Sequence, residues 1–167
     1  LMRDAASGFA VGGSLRELLR RVHAARHRGQ HAFTRAESVC YSAMFAAGRH
    51  DELIELIGGD PRPMWHDLLW VGRGKVARGE IDGAIEFMTN AVNAWTPMAG
   101  LARFAEGVLL QAGRRVEAYE KYAIEASRAT TYLATFRLLA GKYPEIDTDR
   151  LLTDLIATTP GEEGKWF

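Results

Sequence analysis

GRHDELIELI (48–57), GEIDGAIEFM (79–88) and GRRVEAYEKY (113–122) each open on a glycine and run into a stretch whose apolar residues fall at helical spacing. With Gly13 and Gly141 they give five glycines separated by 35, 31, 34 and 28 residues. A turn returning at this interval, with amphipathic segments between, is the signature of helical hairpins stacked in series. Each hairpin is too small to bury its own apolar face, so neighbours must pack into one continuous core.

The flanking segments agree. Ser14-Leu15-Arg16-Glu17 and Thr34-Arg35-Ala36-Glu37 have the form of capping boxes, in which a hydroxyl and a carboxylate three residues on satisfy free N–H groups. Behind the first, Leu15, Leu18, Leu19 and Val22 share one helical face up to a stop at Gly29. Behind the second come Val39, Cys40, Ala43, Met44 and Ala47. Leu53, Ile54, Leu56 and Ile57 form a short helix broken by Gly58-Gly59-Asp60-Pro61. Pro63 suits the first turn of the next helix, where its missing N–H costs nothing. Helices are predicted over 63–78, 81–94, 98–112 and 115–128. A stripe at Tyr132, Leu133, Phe136 and Leu139 leads to Gly141 as a stop, and Leu151, Leu152, Leu155 and Ile156 follow Pro144 with Asp147 as cap. Thr159-Pro160-Gly161-Glu162 opens another helix five residues before the last residue. Trp166 and Phe167 then read either as the first apolar residues of a helix that continues in a longer protein or as a frayed tail. The first reading makes the chain one segment of something larger.

The totals exclude several classes. Among 167 residues 47% are apolar and 25% charged, ordinary for one globular domain, taken here as 1–167. Basic and acidic residues balance at 21 each, which argues against a whole-domain grip on nucleic acid or on an anionic membrane. No apolar run approaches the ~18 residues of a membrane span. The single cysteine, Cys40, reads as a small buried hydrophobe and suits a reducing, cytoplasmic setting.

From Trp65 to Ala126 the residues resemble tetratricopeptide (TPR) repeats. Gly72, Gly79, Ala84 and Ala91 stand where that family carries a small residue, a turn glycine and two further small residues, and Gly113 and Ala118 repeat the second and third at 34 residues. Glu125 and Leu53 depart from the pattern. The resemblance implies an all-α, right-handed α-α superhelix of TPR-like helical hairpins with irregular repeats. It has roughly four helix pairs, and the best units are 65–97 and 98–130. It also implies a non-catalytic scaffold for a peptide or protein partner. The ending TTPGEEGKWF is similar to a segment of bacterial helical-repeat proteins to which no activity attaches.

Candidate chemistry is sparse. Some TPR modules clamp a partner's terminal carboxylate with lysines and asparagines, and those asparagines are missing here. The first helix of each pair would build the concave face, so Arg35, His66, Leu69, Arg73, Arg103 and Leu110 are the expected partner-binding residues. The arginines read equally as solvated side chains paired with neighbours such as Glu106. His23, His27 and His31 share a helical spacing, but Gly29 interrupts them and four arginines surround them, so no metal site is assigned. The basic stretch 16–35 lacks the interleaved aromatics of single-strand binders, and nucleic acid is kept only as an alternative. No phosphate loop, GxSxG or HExxH is present. No enzyme activity, cofactor or small-molecule substrate is therefore expected. A helical accessory region of a larger enzyme is the remaining alternative.

Overall fold

The computed structural model describes residues 17, 34–60, 63–93 and 96–158. The turn glycine Gly13, the Ser14–Glu17 box, the stop at Gly29, the histidine run, the basic 16–35 face and the ending with Trp166 and Phe167 lie wholly or largely outside them. Among the described residues every regular element is helical. They are α1 (Thr34–Ala46), α2 (His50–Gly58), α3 (Trp65–Ala77), α4 (Ile81–Asn90), α5 (Met98–Gln111), α6, α7 (Tyr132–Lys142) and α8 (Thr148–Thr158). Helix α6 is continuous but not uniform. It runs through Arg115–Ala118, a π-helical turn at Tyr119–Ala123 and a final α turn at Ile124–Ala126. The chain divides into two compact units, Leu1–Ala91 and Val92–Phe167.

Three of the turns are built alike. Gly48, Gly79 and Gly113 have φ of 70°, 82° and 75°, the left-handed region in which a Cβ would be strained. At each the glycine N–H reaches back three residues and the next N–H five, as in Gly79 to Val76 (2.9 Å) and Glu80 to Lys75 (3.0 Å). This paired cap satisfies carbonyls that the helix end leaves open. The following helix starts two residues after the glycine in every case. Gly141 differs. It lies inside α7, which continues to Lys142 and yields at Tyr143-Pro144. Proline disfavours helical geometry in the residue before it, so Pro144 rather than Gly141 sets the end.

In the first unit, α1, α2 and α3 bury Cys40, Tyr41, Met44, Leu53, Leu56, Ile57 and Val71 together. Buried positions 37, 40, 41 and 44 define the inner face of α1, so Val39, Ala43 and Ala47, expected on the apolar side, are exposed. Gly74 lets α2 come close to α3, since a Cβ there would stand 3.2 Å from Ile54 Cγ1. Pro63 sits outside α3 rather than in its first turn. Met64, extended at ψ 160°, caps the helix instead.

In the second unit, Tyr119, Ala123, Leu139, Tyr143, Leu151 and Leu155 form a core from α6, α7 and α8. Val116, expected in the α6 stripe, is 70% exposed. Asp147 caps α8 as expected, its Oδ2 accepting the Asp149 N–H at 3.1 Å.

Candidate functional site

Among the described residues of the first unit, a group of ligand-type side chains lies where α1 meets the start of α3. The Met64 N–H donates to Asp67 Oδ2 at 3.0 Å, which fixes the carboxylate across the first turn of α3. Its other oxygen, Oδ1, then lies 3.1 Å from His66 Nε2. Glu37, from the first turn of α1, reaches the same place, and one donor atom from each of Glu37, His66 and Asp67 lies within 4.8 Å of the others. Glu37 is 0% and Asp67 1% exposed, whereas the His66 ring keeps 36% of its surface open to solvent. Both carboxylates occupy helix first turns, where the helix dipole favours the anion. One turn beyond Glu37, burial and then the Glu37 charge push the Cys40 thiol up, which leaves it protonated and a poor nucleophile.

The expected partner-binding residues fall in both units. On α3, His66, Leu69 and Arg73 occupy one stripe, with Leu69 half-buried and Arg73 exposed. The Arg73 guanidinium stacks over Trp70 at 4.8 Å from the ring centre. His66 turns its Nε2 toward Asp67. Arg35 is in α1, and its side chain lies outside the described residues. In the second unit Arg103 donates from Nε to the Ala126 carbonyl at 3.2 Å, holding the end of α6. Leu110 packs against the core of α6, α7 and α8.

Glu106 is 3% exposed and bonds Lys142 rather than an arginine. Lys142 Nζ lies 3.0 and 2.8 Å from its two oxygens, and the Tyr143 hydroxyl donates to Oε1 at 2.8 Å. Glu106 thus ties α5 to the end of α7 and to Tyr143. Beside it, Tyr143 stands edge-on to Tyr119, whose hydroxyl donates to Asp154 at 2.6 Å. Burial first, and the carboxylate acceptor second, push both phenols well above their ordinary value. A groove of about 440 Å³ is lined by Ile124, Arg128, Thr131, Tyr132, Thr135 and Thr158, among others. Its one arginine pairs with Glu125 at 2.9 Å. The residues known to line the groove include no carboxylate, histidine or cysteine that would serve as base or nucleophile.

Sequence reading took Glu37 for a cap and gave Asp67 no role. An acidic residue in a helix first turn is the commonest of signals, and nothing in the string of letters shows that both would be buried against one histidine. No family model matches the chain, and neither a curated protein nor a solved structure does.

Proposed function

We propose that the chain is a non-catalytic scaffold of TPR-like helical hairpins, arranged as a right-handed superhelix, that binds a peptide or protein partner. The observation that carries the reading is the threefold recurrence of one turn. Gly48, Gly79 and Gly113 share their backbone conformation and both cap hydrogen bonds, at spacings of 31 and 34 residues. Five residues after each glycine comes a side chain that is 0% exposed: Leu53, Ala84 and Ala118. The same local cassette used in series is how repeat proteins build an extended surface, and such surfaces work by presenting side chains rather than by chemistry.

Within the first unit the surface offered is the outer stripe of α3. Leu69 supplies apolar contact and Arg73, held against Trp70, supplies a planar donor fork for a partner's carboxylate. Arg103 is a weaker candidate because it already bonds Ala126. The test is paired affinity isolation from the native source with the wild-type chain and Arg73→Glu, followed by titration of the protein recovered. A partner that binds the wild type and loses at least about tenfold in affinity to the variant supports the reading, since a desolvated charge pair contributes on that scale. The melting temperature should stay unchanged. Equal binding by both chains removes this stripe as the docking surface.

A further inference from the structure

We infer that Glu37, His66 and Asp67 form a binding site for a divalent transition metal of the zinc class, which would tie α1 to α3. Three observations lead there. The donor set is one imidazole and two carboxylates, the nitrogen–oxygen mix that suits zinc and its neighbours. The donors come from two separate helices, so a metal held by all three would join elements that are distant in sequence. The third observation is the contact between His66 and Asp67. Nε2 stands 3.1 Å from Oδ1, yet the approach lacks hydrogen-bond geometry, and Nε2 is itself buried although part of its ring faces solvent. Two donors on one metal at ~2.0–2.2 Å stand roughly 2.8–3.6 Å apart at ordinary coordination angles. A separation of 3.1 Å is therefore already that of neighbouring ligands. One Glu37 oxygen already lies within 4.8 Å of the other two donor atoms.

The surroundings fit the assignment. Asp67 is steadied through Oδ2 by the Met64 N–H, the kind of outer support that orients a ligating carboxylate. Both carboxylates lie in the first turns of their helices. The His66 side chain keeps 36% of its surface open to solvent beside the buried donor atoms. Cys40, though one turn from Glu37, is not among the donor atoms that lie within 4.8 Å of one another and stays outside the set.

The experiment is zinc titration of the full metal-stripped chain, followed by calorimetry and by thermal melting, with cobalt as the optical probe. One zinc per chain is expected, with a rise in melting temperature by mass action and a cobalt spectrum free of thiolate charge transfer. His66→Ala, at a partly exposed position, should fold normally and lose at least about tenfold in zinc affinity. Asp67→Asn, which keeps an oxygen for the Met64 cap, and Glu37→Gln should do the same. Simultaneous replacement of His23, His27 and His31 by alanine should leave affinity unchanged. Failure of the wild-type chain to take up zinc overturns the site, and so does binding that survives His66→Ala. Loss of binding on removal of the other three histidines would place the metal elsewhere and equally overturn it. Arg73→Glu touches none of these groups, so the partner-binding reading and the metal site fail independently.

Discussion

At the scale of single residues, the glycines show how conformation, not identity, decides a role. Gly113 has φ +75° and Gly141 lies within α7, yet in both cases a Cβ would meet open space. Crowding therefore cancels from the comparison and only backbone preference is left. Gly113→Ala is expected to destabilise by about 1–2 kcal/mol, the cost of a Cβ in the left-handed region. Gly141→Ala is expected to stabilise by roughly 0.5–1 kcal/mol, because alanine in a helix loses less entropy on folding. Urea midpoints measured on both variants decide this, and shifts in the same direction would contradict it. The three turn glycines were legible in the sequence because each stands just before a fresh amphipathic run. Gly141 broke the series because Pro144, three residues later, had already supplied the stop.

At the scale of the element, α6 is the helix that sequence periodicity describes least well. A π turn places one residue more in its loop than an α turn does, and shifts everything beyond it around the helix axis. That is how Ala118 and Ala123, five residues apart, are both fully buried while Glu120 and Lys121 between them are exposed. Removing Lys121 should convert the turn to an ordinary α turn and keep both flanks on their present faces. The chain should then stay folded and cooperative. Removing Arg103 from the regular helix α5 should be far worse, because it rotates the buried residues after it by about 100°. Thermal melts followed by circular dichroism compare the two deletions. If the Lys121 deletion unfolds as readily as the Arg103 deletion, the π turn is not an insertion that the helix can spare. Periodicity could not reveal the turn, since the stripe Tyr119, Ala123 and Ala126 keeps spacings of four and three that an ordinary α-helix also shows.

At the scale of the whole molecule, the all-helical class was legible. The placement of polar burial was not. Glu106 looked like a surface partner for arginine and instead lies beneath Lys142 and Tyr143, which are 36 and 37 residues further along the chain. Such pairings depend on which helices meet, information spread over the chain instead of written at the residue. The two compact units give a further expectation. Leu139 is fully buried among α6, α7 and α8, and Leu139→Ala should cost about 2–5 kcal/mol. Amide exchange should accelerate across α6, α7 and α8 more than across α1 to α4, since stability in such a chain is held locally. Uniform acceleration over the described helices α1 to α8 would mean that the molecule opens as one body.

The recurring glycine cassette also bears on how the chain is made. Successive turns are 31 and 34 residues apart, so at ~5–20 residues per second a ribosome delivers each new hairpin in roughly 2–7 s. Helices form within about a microsecond and small packed units soon after. Each new hairpin thus has ample time to dock on the one already made before the next emerges, and the nascent protein can acquire its shape from the amino end while synthesis is still under way.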